Sequence, residues 1–233
     1  MVTFDSSLAG DYAKVKNLLQ SGMNIARINC AHDEESTWFR MIQHIKRASK
    51  ITGLECKIYM DLAGPKIRTV IKNQRKFKVN EGGSFYISDE RNMDNDKETI
   101  GCTVPGIAEQ LNSGERVLFD DGLIEARVEK IEGHKVKLQV LRISSKKPHI
   151  RHEKGINFPD SVLMMPALTE YDKKCLTFIM KQADMVGYSF VRNSKDILQL
   201  QEANAKNKKL SLIIKVETPE AVKNLPNLLF TGL

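Results

Sequence analysis

Six residues carry side chains able to do chemistry at the downstream ends of short apolar runs: Arg27 with Asn29, Asp61, Ser189, and Lys215 with Glu217. The stretch MDLAGPKIR, residues 60–68, adds Lys66 and Arg68 just beyond Asp61 and a glycine-proline pair. An apolar strand has no packing reason to end repeatedly in a charge, and a buried charge costs several kcal/mol unless paired. Arg27 and Lys215 are cations suited to a phosphate or a carboxylate. Asp61 and Glu217 are hard oxygen ligands suited to Mg²⁺ or to a monovalent cation. Cations beside a carboxylate-held metal are the components of phosphoryl transfer. The same set suits a metal-assisted aldolase or lyase acting on 2-oxo acids, and both readings stand at this point. The chain has no Gly-rich phosphate loop, no Walker A sequence and no protein-kinase signature set, which disfavours those classes.

The elements that must position these residues follow from hydrophobic spacing. Residues 1–66 alternate short apolar runs with amphipathic stretches. MVTF reads as a strand. Asp11 caps a helix with Tyr12, Val15, Leu18 and Leu19 on one face, ending at Gly22. Met23 to Asn29 is a second strand. Asp33 is expected to cap a longer helix bearing Trp38, Met41, Ile42, Ile45 and Ala48, closed by Gly53. Cys56 to Asp61 is the third strand. Residues 67–165 change rhythm to period two, in Ile124, Ala126, Val128 and again in Val136, Leu138, Val140. Glu132-Gly133-His134 lies between them as a hairpin turn, and Gly82-Gly83 and Asp120-Asp121-Gly122 mark further turns. From Pro166 the first rhythm returns. Thr169 opens a helix with Cys175, Leu176, Ile179, Met180 and Ala183; Asp184 to Phe190 is a strand; Ser194 caps a helix; Leu210 to Val216 is a strand; Thr218-Pro219 opens another helix. The expected architecture is α/β, with a parallel sheet built by residues 1–66 and 166–233 and an all-β domain inserted at 67–165. In such folds ligands meet the C-terminal ends of the strands, where the charged residues fall.

Composition narrows the setting. Over 233 residues, 41% are hydrophobic and 28% charged, the values of an ordinary globular protein. No apolar run approaches the roughly 20 residues of a membrane span, and no basic leader precedes an apolar core at the N-terminus. Four dispersed cysteines, Cys30, Cys56, Cys102 and Cys175, with no CxxC pair, point to reduced thiols and a cytoplasmic protein. The net charge is +7, concentrated in KKPHIRHEK at 146–154. Without interleaved aromatics or a nucleic-acid motif, that run reads as a solvated or phosphate-facing loop rather than a nucleic-acid site.

Several ordered motifs resemble the pyruvate kinase family. GMNIARINCAH (22–32) is similar to the family's GMNVARLNFSH, and MDLAGPKIRT to LD-x-x-GP-(E/K)-IRTG. DDGLI (120–124) and EKGINFP (153–159) resemble motifs of its lid domain. ALTEYDKK (167–174), DMVGYSFVR (184–192) and IIKVET (213–218) resemble segments that resume its barrel. The resemblance implies a partial TIM-type (β/α) barrel, about five of eight units, with a β-rich lid after the third strand. It implies a glycolytic, cytoplasmic, Mg²⁺- or Mn²⁺-dependent phosphotransferase moving phosphate between phosphoenolpyruvate and ADP/ATP. On that reading Lys215 and Arg27 are catalytic, and Arg27, Arg68, His32 and Lys154 bind substrate or nucleotide. Glu217 holds the divalent metal, and Asn29 and Asp61 form a monovalent-cation site.

The sequence also departs from the pattern. Ala31 stands where the family usually has a potassium-ligating serine, and Lys66 where many potassium-dependent members have glutamate. A lysine ammonium there replaces the cation's charge, so K⁺ is not expected to be required. MVTFDSS lacks the family's TIGPAS pattern. No ARGD-like segment, whose aspartate is the family's second metal-binding acid, follows Glu217 before Leu233. The 233-residue chain alone is therefore expected to be inactive or nearly so, with its open sheet edge met by a second copy or by a C-terminal half. Two alternatives remain: a Mg-dependent barrel lyase on phosphoenolpyruvate or pyruvate, and a non-catalytic remnant that binds a phosphorylated metabolite.

Overall fold

The computed structural model describes residues 1–72, 76–93, 97–144, 148–203 and 210–232. The chain forms two compact units, Met1–Pro65 with Pro166–Leu233, and Lys66–Met165. In chain order the first segment contains β1 (Val2–Phe4), α1 (Tyr12–Gln20), β2 (Ile25–Asn29), α2 (Glu35–Thr52) and β3 (Lys57–Asp61). The inserted unit contains β4 (Thr69–Val70), β5 (Phe77–Lys78), β6 (Ser84–Asp89), β7 (Thr99–Cys102), β8 (Arg116–Phe119), β9 (Ile124–Glu132), β10 (Lys135–Ile143), β11 (His149–Ile150) and β12 (Ile156–Asn157). The last segment contains α3 (Glu170–Gln182), β13 (Met185–Tyr188), α4 (Ser194–Ala203), β14 (Ser211–Ile214), α5 (Pro219–Lys223) and α6 (Leu225–Gly232).

The outer segments build one five-stranded sheet in the order β1-β2-β3-β13-β14, every neighbouring pair parallel. This is a partial (β/α) barrel, and among the described residues the sheet does not close. Register explains how the site is placed. Phe4, Ile28, Met60, Val186 and Leu212 lie side by side across the five strands. They pack with Val15, Leu19, Trp38, Met41, Ile42, Ile45, Leu176 and Ile179 of the helices in one apolar core. Because strand side chains alternate between faces, the next row turns the other way: Thr3, Arg27, Tyr59, Met185 and Ser211. Two residues on, Asn29, Asp61, Gly187 and Ile213 repeat that direction. One face is therefore apolar and covered by helices, and the opposite face carries the charged residues.

Local chemistry sets the element ends. Asp11 accepts from the Lys14 N–H at 2.9 Å and starts α1. Thr169 and Asp172 form a reciprocal capping box that starts α3. Thr218, with Pro219 following, starts α5. Two expected caps differ. Asp33 does not cap α2: it adopts φ 62°, and the N-cap is Glu34, which makes no side-chain cap bond. Ahead of α4 the capping oxygen belongs to Asn193, whose Oδ1 accepts from Lys195 N–H at 3.0 Å, while Ser194 is the first helical residue. Asn and Ser are equally good caps by type, so only the backbone path separates them. The strands also stop earlier than their apolar runs: Ser189, Lys215 and Glu217 lie just beyond β13 and β14.

The inserted unit has its own core. Its main sheet runs β12-β8-β9-β10-β6-β7-β4, with β5 and β11 forming a separate pair. Ile124, Ala126, Val128, Val136, Leu138 and Val140 are buried on the β9–β10 hairpin. Gly133 sits at φ 60° in the tight turn between them, a conformation glycine adopts without steric cost. Of the basic run at 146–154, Lys146 and Lys147 lie outside the described residues, and His149-Ile150 pair with Phe77-Lys78.

Candidate active site

The first unit brings four charged residues into one network centred on a carboxylate. Asp61 ends β3 and is 1% exposed. Its Oδ2 accepts from Arg27 Nε at 3.0 Å, from Arg27 Nη2 at 2.5 Å and from Lys215 Nζ at 3.2 Å. Lys215 Nζ also lies 3.0 Å from Asp61 Oδ1 and 3.7 Å from Glu217 Oε1. Arg27 Nη1 donates to Thr3 Oγ1 at 3.2 Å. β1 thus helps aim the guanidinium that β2 carries. Arg27 and Lys215 keep 25% of their side-chain surface exposed, and Glu217 36%. The network is a buried anion under two half-open cations, with a second carboxylate at its edge.

Backbone bonds beyond the strand ends keep the rim together. Cys30 N–H donates to the Asp61 carbonyl at 2.9 Å, Leu62 N–H to Gly187 at 3.0 Å, and Lys215 N–H to Tyr188 at 3.0 Å. Ser189 Oγ donates to the Leu62 carbonyl at 2.6 Å, tying the chain after β3 to the chain after β13. Phe190, at φ 56°, turns its N–H onto Glu217 Oε2 at 3.1 Å. Gly64 is required where the chain leaves the rim: it has φ +66°, and a Cβ there would lie 2.8 Å from Ser189 Cβ and 2.9 Å from the Phe190 ring.

The electrostatics follow. Burial tends to lower the Arg27 pKa, but hydrogen bonds to Asp61 and its charge outweigh that and raise it. Burial first, and then the Asp61 charge, pushes the Tyr59 hydroxyl up to about 12. Among the described residues no group of three or more His, Cys, Asp or Glu side chains is placed to hold a metal ion. Glu217 is one hard carboxylate of the type Mg²⁺ or Mn²⁺ takes, with Oε2 accepting the Phe190 N–H at 3.1 Å and Oε1 3.7 Å from Lys215 Nζ. The Asn29 and Asp61 pair fits a monovalent cation less well. Asn29 Oδ1 already accepts the Ala31 N–H at 3.0 Å, and Asp61 is neutralised by Arg27 and Lys215.

Of the remaining sequence candidates, His32, Arg68 and Lys154 have partners of their own. His32 follows β2; its N–H donates to the Asn29 carbonyl at 3.1 Å, and its carbonyl accepts from Trp38 Nε1 at 2.9 Å. Lys66, Arg68 and Lys154 belong to the inserted unit. There Arg68 Nη1 donates to the Glu153 carbonyl at 2.9 Å, and Lys154 Nζ pairs with Asp120 Oδ1 at 2.9 Å. Asp120 and Asp121 form a turn at φ 51° and 57°. Sequence reading passed over Thr3, Tyr59 and Gly187. The period-two alternation that places Arg27 with Asn29 also places Tyr59 with Asp61, and that signal was available.

The comparisons with known proteins agree on one family. Residues 6–232 match the family profile described as pyruvate kinase, barrel domain. The chain is 30% identical over 219 residues to a pyruvate kinase of Geobacillus stearothermophilus, covering 93% of this chain and 37% of that protein. It is 31% identical over 220 residues to a pyruvate kinase of Clostridium perfringens, covering 92% and 45%. It is 30% identical over 222 residues to a probable cytosolic pyruvate kinase isozyme of Arabidopsis thaliana, covering 94% and 44%. The chain therefore spans less than half the length of these curated relatives.

Proposed function

This chain belongs to the pyruvate kinase family, and on that premise we propose that its rim binds phosphoenolpyruvate for phosphoryl transfer to ADP, giving pyruvate and ATP. The observation that supports this reading is the convergence of Arg27 and Lys215 on Asp61, with Glu217 beside Lys215, at the C-terminal ends of parallel strands. A phosphate ester is a dianion, and two partly exposed cations held by one buried acid offer it a preorganised positive surface. In this reading Arg27 anchors the phosphate with its planar donors. Lys215 neutralises charge on the phosphoryl group in flight and on the enolate oxygen left behind. Asp61 holds both cations at the strand ends, and Thr3 steadies Arg27. Glu217 would ligate a Mg²⁺ or Mn²⁺ ion, which supplies charge neutralisation between phosphate and carboxylate when bound.

Among the described residues Glu217 is the one carboxylate this reading assigns to that ion, so the chain on its own is expected to bind phosphoenolpyruvate and turn it over little or not at all. K⁺ is not expected to help, because Asp61 is already paired with Arg27 and Lys215. A lactate dehydrogenase-coupled assay with Mg²⁺, phosphoenolpyruvate and ADP tests the reading. It predicts that whatever pyruvate appears requires ADP. Pyruvate released equally fast without ADP would favour a lyase or phosphatase instead.

A further inference from the structure

We propose that Tyr59 is a positioning residue of the rim: its hydroxyl, lodged where Gly187 lacks a side chain, holds Asp61 Oδ1 and so sets where Arg27 and Lys215 point. Tyr59 and Asp61 alternate on β3 and share its polar face. Across the sheet Tyr59 is registered beside Arg27 and Met185, and Asp61 beside Gly187. A Cβ built on Gly187 would lie 2.2 Å from the Tyr59 hydroxyl oxygen, 2.5 Å from Asp61 Oδ1 and 2.8 Å from Tyr59 Cε2. Both oxygens thus occupy the gap that one glycine leaves, and no other residue type fits there.

The carboxylate is served unevenly. Oδ2 accepts three donors, whereas Oδ1 is buried, lies beside Lys215 Nζ and makes no hydrogen bond. A buried carboxylate oxygen that faces an ammonium at 3.0 Å but accepts no well-aligned hydrogen bond is incompletely satisfied. The Tyr59 phenol oxygen shares the gap with Oδ1 and is a rotatable donor, so a small shift of that oxygen towards Oδ1 would complete the set. A phenol carries its proton at neutral pH and so remains a donor. Holding Oδ1 fixes the carboxylate plane, and that plane fixes the direction of the guanidinium and ammonium paired with Oδ2.

The functional consequence rests on the phosphoenolpyruvate reading; the positioning itself does not. The test is the Arg27 Nε–Hε signal in ¹H–¹⁵N spectra of the ligand-free chain, wild type against Tyr59→Phe, which keeps the ring and removes the hydroxyl. The expected result is a changed Arg27 Hε shift and about tenfold faster hydrogen exchange, with the Ile58 and Met60 amide signals unmoved. Gly187→Ala, which retains the hydroxyl but fills its space, should give the same loss of Arg27 protection. Phosphoenolpyruvate affinity should fall about tenfold in Tyr59→Phe. Arg27 shift and exchange identical to wild type in Tyr59→Phe would overturn the proposal. If the wild-type chain takes up no phosphoenolpyruvate, the substrate reading fails, while the ligand-free spectra still decide the role of Tyr59.

Discussion

The two faces of the parallel sheet are made by the same strands and obey opposite rules. On one face Ile28, Met60, Val186 and Tyr188 are at most 1% exposed and pack under the helices. On the other, Arg27, Asp61 and Lys215 build a charged network around a carboxylate that is 1% exposed. The first face draws its stability from apolar area removed from water. The second gives up some of that gain to hold two cations in a fixed direction. A single β-strand can serve both because its side chains alternate, so one residue's shift along the chain exchanges scaffold for chemistry.

Breaking the scaffold face should have the largest effect on stability. Met60→Ala removes a fully buried side chain and should cost about 3 kcal/mol in urea unfolding, while the fraction that remains folded keeps its affinity for phosphoenolpyruvate. A loss under about 1 kcal/mol would mean that this face is not tightly packed.

Disturbing the charged face comes next. Asp61→Asn leaves Arg27 and Lys215 without their anion and should destabilise by about 2 kcal/mol, below the range for fully buried pairs because both cations are partly solvated. A neutral result would show that the network is offset entirely by its own desolvation. Potassium sharpens the comparison at the binding level. Phosphoenolpyruvate affinity in Na⁺ or tetramethylammonium should match that in K⁺ within about twofold, and a many-fold gain on adding K⁺ would contradict the pairing of Asp61 by protein cations.

The smallest effect belongs to the inserted unit, where charges pair in the open. Asp160 accepts Arg116 Nη2 at 2.7 Å and Nε at 2.9 Å. The Arg116 side-chain bonds, and then its backbone N–H, hold the Asp160 pKa down at about 2, against 3.8 unperturbed. A depressed folded pKa stabilises above the unfolded value and is lost as the pH falls through the folded one. Melting curves of wild type and Arg116→Ala should therefore differ slightly above about pH 4 and converge by about pH 2. A gap that widens in acid would reverse the sign of this argument.

Much of this was readable from residue types. Trp38, Met41, Ile42, Ile45 and Ala48 recur at helical spacing and are buried together on α2. Ile124, Ala126 and Val128 alternate and are buried on β9. Arg27, Asp61, Lys215 and Glu217 announce themselves because a charge at the end of an apolar run needs a partner. Tyr59 did not, because an aromatic ring inside a strand passes for core until its hydroxyl is placed. Gly187 did not, because the meaning of a missing Cβ lies wholly in neighbours distant in sequence. The caps at Glu34 and Asn193 depended on one residue of backbone path, which residue type does not carry.

The central claim is that the polar face is one phosphate-ester site. Isothermal titration of phosphoenolpyruvate with Mg²⁺ into wild type, Arg27→Met and Lys215→Met tests it directly, with circular dichroism confirming that all three fold. The account predicts one saturable site in the wild type, weakened at least tenfold by either substitution. Absent binding in the wild type, or equal binding by all three proteins, would contradict it.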